Sequence, residues 1–175
     1  FYAFSLYKTY GPHLGLLYGK KAILDKLPNQ NHEFLEGDVP YTLNPGGPNH
    51  EELSCLIGVY EYFNNLFEHH FPGEDGSVRD KIEKINELIA KHEQEIANPL
   101  LEYISSRDDI KLIGKNKIKN KNRAPTIAFT MDNKSSKELS SDLVKHGIAT
   151  RNDNFYAWRC LKALGIDVDD GVVRT

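Results

Sequence analysis

The sequence predicts an α/β protein, and three observations carry that prediction. Short apolar runs recur along the chain and read as strands, among them FYAFSL, LGLLY, IKLI, TIAFTM and GVVRT. Between them lie two long stretches whose apolar residues repeat at helical spacing. Glycine and proline cluster at the joins, where the chain must turn.

Taken in order, Phe1 to Leu6 and Leu14 to Tyr18 read as short, largely buried strands joined by a Gly11–Pro12 turn. Residues 28 to 48 hold Pro28, Pro40, Pro45, Gly46, Gly47 and Pro48, and read as an irregular loop. Asn49, with Glu52 three residues on, gives an N-cap and its reciprocal acid. The helix that follows carries Leu53, Leu56, Ile57, Tyr60, Phe63 and Phe67 as one apolar stripe and ends before Pro72–Gly73. PGEDG is the best boundary in the chain, dividing it into unequal pieces of about 1–75 and 76–175. A second helix is expected from near Ser77 toward Ser105, with Ile82, Ile85, Ile89 and Ile96 in phase. Pro99 should kink or interrupt it, since its nitrogen cannot donate to the carbonyl four residues back.

Beyond Arg107 the pattern changes to short αβ units. Ile110 to Ile113 and Thr126 to Met131 read as strands flanking the polar loop GKNKIKNKNRA. Ser135 and Glu138 form a capping box for a helix ending at His146–Gly147. IATR is a strand, NFYAWRCLKALG a short helix and GVVRT a last strand. A chain that opens at Phe1 inside one β-like run and stops inside another reads as an internal fragment of a longer polypeptide, or the ordered part of one, because an orphan strand leaves its backbone groups unpaired.

Composition narrows the function classes. At 175 residues, 39% hydrophobic and 27% charged, the chain is an ordinary globular sequence with enough material for one core or two small domains. A formal net charge of −3 gives no overall attraction to nucleic acid or to an anionic membrane. No apolar run approaches the roughly 20 residues of a membrane helix. Two cysteines, Cys55 and Cys160, without CxxC spacing, fit a reducing compartment and not a disulfide framework. The expectation is a soluble cytoplasmic protein with neither a nucleic-acid nor a membrane partner. His69 and His70 are adjacent and diverge on a helix, so no metal site is expected there. GKNKIKNKNR lacks interleaved aromatics and reads as a solvated loop.

Lys8 stands at the join of the first two apolar runs. Its residue type alone allows two readings: a strand-end lysine snorkelling to solvent, or an amine held in a dry pocket to attack a carbonyl. Its surroundings add a resemblance. FSLYKTYGPHLGLLYGKKAIL resembles the cofactor-lysine region of the class V aminotransferase family, especially cysteine desulfurases and desulfurase-like proteins. The family's Ser-x-His-Lys-x-x-Gly-Pro segment is matched by Ser5, Lys8, Gly11 and Pro12, and its Leu-Tyr strand end by Leu17–Tyr18. NPGGPNHEELSCLIGVYEYF is similar to the family's Gly-Thr-Pro-Asn loop and following helix, and HGIATRNDNFYAWRCLKALG and GVVRT extend the match toward the end.

The resemblance implies the C-terminal part of a fold-type I pyridoxal 5'-phosphate enzyme. Residues 1–75 would close the large domain, with its mostly parallel sheet, and 76–175 would form most of the small C-terminal αβ domain, stopping at its last strand. Lys8 would hold the cofactor as an internal aldimine and move the proton of the substrate α-carbon, with the Ser5 hydroxyl on the cofactor phosphate. Tyr7 stands where the family has histidine. The loop with Gly46 and Gly47 would cradle phosphate with backbone N–H groups across a homodimer interface, although it also reads as a plain turn; Gly47 replaces the family's threonine. Arg174 would clamp the α-carboxylate of a small amino-acid substrate, with Arg151 nearby; each also reads as an ordinary loop or strand-end arginine.

A desulfurase also needs a thiolate on the loop after the GIA-x-R strand, and the matching position is Tyr156. Cys160 lies in an apolar helical pattern beside Trp158 and Leu161 and reads as buried, while Cys55 reads as core. The function expected is therefore cofactor chemistry at Cα or Cβ of an amino acid, by transamination, elimination, desulfuration or epimerisation. The rival is a non-catalytic fragment, or a binding or structural protein, that keeps the fold without the reaction.

Overall fold

Helical and extended segments alternate through the computed structural model, which describes every residue except Pro40, Pro45 and Asn120. Those three belong to the two expected loops and lie outside the described residues. The chain divides into two compact units, Phe1–Ile85 and Asn86–Thr175.

In the first unit, β1 (Tyr2–Ser5) and β2 (Gly15–Tyr18) pair antiparallel, with Tyr2 opposite Tyr18 and Ser5 opposite Gly15. A 3₁₀ turn, Leu6–Thr9, joins them, closed by Tyr10 in the left-handed conformation with φ 65°. The Leu6 N–H donates to the Leu14 carbonyl at 2.8 Å and the Gly11 N–H to the Leu6 carbonyl at 2.9 Å, which ties the turn to the strand after it. These strands are largely exposed and not buried as expected, with Tyr2, Leu17 and Tyr18 more than half accessible. A two-stranded ribbon pairs only its inner backbone groups and cannot cover its own faces.

A short helix α1 (Lys21–Leu24) follows. The helix expected after Asn49 is two helices, α2 (His50–Ser54) and α3 (Leu56–His70). The Asn49 carboxamide does cap the start, accepting from the Glu52 N–H at 3.0 Å. At Cys55 the N–H reaches the Glu52 carbonyl, a 3₁₀-type contact that tightens and ends the first segment. Of the expected stripe, Phe67 is fully buried, against Phe71 and beneath the Lys81 and Lys84 ammonium groups, while Ile57 and Tyr60 face solvent.

The long helix α4 (Val78–Ser105) runs through Pro99 without interruption. Proline removes one backbone bond, and burial of Ala97, Leu101 and Ile104 on either side of it offsets that loss.

The second unit is built on an antiparallel sheet in the order β3-β4-β6-β5: β3 (Ile110–Ile113), β4 (Ala128–Met131), β6 (Val172–Arg174) and β5 (Arg151–Asp153). Ala97, Leu101 and Ile104 of α4 share its core with Ile118, Ile127, Phe129 and Val173, and with Leu139 of α5 (Ser136–Lys145). The capping box at Ser135 and Glu138 is present. Beyond α5, Gly147 at φ 73° donates to the Val144 carbonyl and Ile148 to the Leu143 carbonyl. That Schellman exit uses residues 147 and 148, so the strand expected at IATR starts three residues later, at Arg151. The last helix, α6, spans Trp158–Ala163, because residues 154–157 are occupied by a turn.

Asp142 on α5 accepts from Lys134 at 2.5 Å and from Lys145 at 2.8 Å. Those two ammonium groups, Lys134 first, hold its carboxyl at about 2, well below the usual 3.8. A depressed native pKa adds stability above the unfolded value, and that stability is lost as pH falls through the native one. Between about pH 4 and pH 2 the protein should therefore lose a stability increment that Asp142→Asn lacks throughout. Denaturant midpoints of both proteins across that range check it; parallel curves reject it.

Candidate functional site

The second unit assembles a basic recess at one end of its sheet. β5 and β6 pair so that Arg151 stands directly opposite Arg174, Asn152 opposite Val173 and Asp153 opposite Val172. Directly opposed residues of an antiparallel pair place their side chains on the same face, where like charges repel. Among the described residues no carboxylate comes within ion-pairing distance of either arginine. Both line a recess of about 450 Å³ together with Thr126, Ala149, Thr150 and Thr175. Two guanidinium groups without an internal counter-ion make a place suited to an anion.

The register depends on Gly171, buried at the foot of β6. A Cβ there would sit 2.3 Å from the carbonyl carbon and oxygen of Asp153 and 2.7 Å from the Asn154 nitrogen, and the backbone has φ 73°. Glycine is required on both counts. The turn that follows β5 is held by Asn154, whose side-chain oxygen accepts from the Tyr156 N–H at 3.0 Å while its backbone carbonyl accepts from Ala157 at 2.9 Å. Within it Phe155 and Tyr156 are both left-handed, at φ 51° and 60°. Two bulky residues in succession there store strain on the order of 1–3 kcal/mol each. The Phe155 ring lies against Arg174, with the guanidinium carbon 3.7 Å from the ring centre. Such a contact is worth about 0.5–1 kcal/mol in the open and about 2 when dry. Tyr156 is fully exposed at the tip of the turn.

Lys8 occupies the last turn of the Leu6–Thr9 helix in the first unit, exposed, its ammonium 5.6 Å from the Tyr7 ring centre. Tyr7 stacks on His13 at 4.8 Å. The Ser5 hydroxyl makes no capping bond to that helix. Ser5 ends β1 as the extended N-cap of the turn, and Lys8 follows three residues on within it. Gly46 and Gly47 are exposed in the loop before α2, and a Cβ at either would meet nothing within 4 Å.

Neither cysteine is buried. Cys55 and Cys160 are both exposed. A six-residue helix has one inward face, which in α6 belongs to Leu161, so its neighbours Cys160 and Trp158 turn outward. Cys55 sits at the break between α2 and α3 and not within a packed stripe. Sequence reasoning missed Gly171, Asn154 and Phe155. The first two carried a signal, a glycine before a strand and an Asn-rich turn sequence; Phe155 looked like a helical residue.

No family model matches the chain. The aminotransferase-like protein FGM3 of Gibberella zeae is 33% identical over 178 residues, covering 99% of this chain and 40% of that protein. A cysteine desulfurase of Escherichia coli is 28% identical over 170 residues, covering 90% of this chain and 36% of its own length. Among solved structures the cysteine desulfurase CsdA of Escherichia coli superimposes with a TM-score of 0.65 at 22% identity, over 99% of this chain and 40% of that one. The fold is thus that of the C-terminal part of a fold-type I pyridoxal-phosphate enzyme. Over almost its whole length the chain resembles the C-terminal part of class V aminotransferases, on the aminotransferase-like and cysteine desulfurase side. It spans about 40% of the length of the relatives it matches. Among the described residues no helix is long and apolar enough to cross a membrane.

Replacing Gly171 by alanine should cost more than about 2 kcal/mol, since the new methyl overlaps backbone and the conformation is left-handed. Urea unfolding of the Gly171→Ala protein measures it; a cost under 1 kcal/mol rejects the close approach.

Proposed function

We propose that the chain supplies the cofactor lysine and the carboxylate clamp of a pyridoxal-phosphate-dependent enzyme acting on a small amino acid. The observation that carries this reading is the Arg151–Arg174 pair, opposed in register and without an acidic partner among the described residues. A bidentate guanidinium suits an α-carboxylate, and a second one beside it raises the local positive potential.

The residues present fit the cofactor at two points. The Ser5 hydroxyl is free of a capping bond and can donate to a phosphate oxygen, and the exposed Lys8 amine, on the turn that Ser5 leads into, is available to an aldehyde. Gly46 and Gly47 offer backbone N–H groups with no side chain in the way. Pyridoxal phosphate, when bound, supplies an electron sink for breaking bonds at Cα or Cβ of an amino acid. Lys8 then serves as the attachment point and moves the proton at the substrate α-carbon, while Arg174 and Arg151 fix the carboxylate and so the bond to be broken. On this reading residues 1–75 end the cofactor-binding domain, 76–175 belong to the small domain, and the Gly46–Gly47 loop works across the interface of a cytoplasmic homodimer.

The reaction branch turns on the β5–α6 turn. A sulfur-transfer step ends on a thiolate, and the tip of that turn carries the phenol of Tyr156, which cannot accept sulfur. Cys160, though exposed, is fixed in α6, where its carbonyl accepts from the Leu164 N–H at 3.0 Å. We therefore favour chemistry at Cα or Cβ that needs no thiolate from this turn.

In the full-length protein, borohydride should fix the cofactor to Lys8, and peptide mapping should find the label there; a label on another lysine rejects the assignment. Lys8→Ala should abolish turnover of L-cysteine. Cys160→Ala should turn over L-cysteine within about twofold of the parent, and a selective loss of sulfur release would identify Cys160 as the acceptor. Sedimentation should give a dimer. A fully active monomer removes the role given to Gly46 and Gly47.

A further inference from the structure

We infer that Phe155 is a positioning residue for Arg174: its ring covers one face of the guanidinium and holds the side chain with its donor edge toward the recess. The inference rests on Arg174 being the carboxylate clamp, and adds the group that orients it. Three observations converge. The Arg174 guanidinium carbon lies 3.7 Å from the Phe155 ring centre, closer than an incidental cation–ring approach. Phe155 is one of two successive non-glycine residues at positive φ, a conformation that persists where the surroundings over-determine it. Those surroundings are built, since Asn154 accepts from the Tyr156 N–H and the Gly171 backbone is pressed against Asp153 and Asn154.

The physical reason for such a device is the opposed Arg151. With no ligand present, the Arg174 side chain would swing away from a like charge across the strand pair. A flexible arginine pays rotamer entropy when it captures a carboxylate, and one already held on a ring pays less. An aromatic face does this without neutralising the charge, whereas an acidic partner would compete with the substrate. The stack occupies the flat face of the guanidinium and leaves its N–H edge free for a bidentate contact.

The test compares Phe155→Leu, Phe155→Tyr and Arg174→Lys in the full-length protein, with L-cysteine as the probe substrate. Loss of the stack in Phe155→Leu should raise KM roughly five- to tenfold with kcat within about twofold, and Phe155→Tyr should return KM to the parent value. In arginine-labelled protein without substrate, the Arg174 Nε–H resonance should show the upfield shift of a ring-stacked proton, kept in Phe155→Tyr and absent in Phe155→Leu. That spectroscopic readout does not depend on the reaction, and thermal midpoints of the variants separate a folding defect from lost positioning. If Arg174→Lys raises KM while Phe155→Leu does not, the positioning role is overturned and the clamp stands. If neither variant changes KM, the clamp itself fails and takes the inference with it. A parent resonance without the upfield shift overturns the stack directly.

Discussion

A single backbone contact fixes the chemistry of the second unit. Gly171 passes so close to Asp153 and Asn154 that no side chain fits between them, and this locks β6 against β5 in one register. A slip by one residue would turn every side chain to the opposite face. Val172 and Val173 would then exchange faces, and Arg174 would leave the recess it shares with Arg151. Core and site are therefore specified together. Val173 belongs to the cluster formed by Leu101, Ile104 and Phe129, and Arg174 is the next residue along.

From that register two costs follow. The arginines face each other as like charges, and the turn bearing Phe155 and Tyr156 is strained. Elsewhere in the same unit Arg107 meets Asp109 through two bonds, and Asp142 is shared by two lysines. Folding chemistry alone gives no reason to leave Arg174 on an aromatic ring when acidic residues are plentiful. A half-buried, unpaired guanidinium is better understood as held for a ligand whose binding relieves the repulsion.

What the sequence made legible was local. The capping box at Ser135–Glu138 and the Asn49 cap span four residues each, and both formed. Burial was poorly legible, because periodicity states which faces are apolar and not what covers them. The runs at 1–6 and 14–18 are apolar enough for a core yet form an exposed ribbon. Cys160 failed for a related reason, since a helix of six residues buries one face and Leu161 takes it. The arginine pair stood out through family resemblance, but its direct opposition is a property of strand pairing between residues 23 apart. Phe155 was invisible for the same reason.

The two halves of the proposed site rest on different warrants. At Arg174 the environment itself argues for a role, through register, recess and stack. At Lys8 it does not: the amine is exposed, on one turn of 3₁₀ helix beside Tyr7, as many surface lysines are. The Tyr7–His13 stack lies directly against that turn, occupying with an aromatic pair the side where the family places a histidine before the lysine. In the proposed site the carboxylate end rests on geometry within the chain, while the amino end rests on the resemblance of Ser5, Lys8, Gly11 and Pro12 to the family segment. Any account of which bond breaks must begin from the carboxylate end, because an anchored carboxylate fixes how the remaining bonds of the α-carbon are aimed.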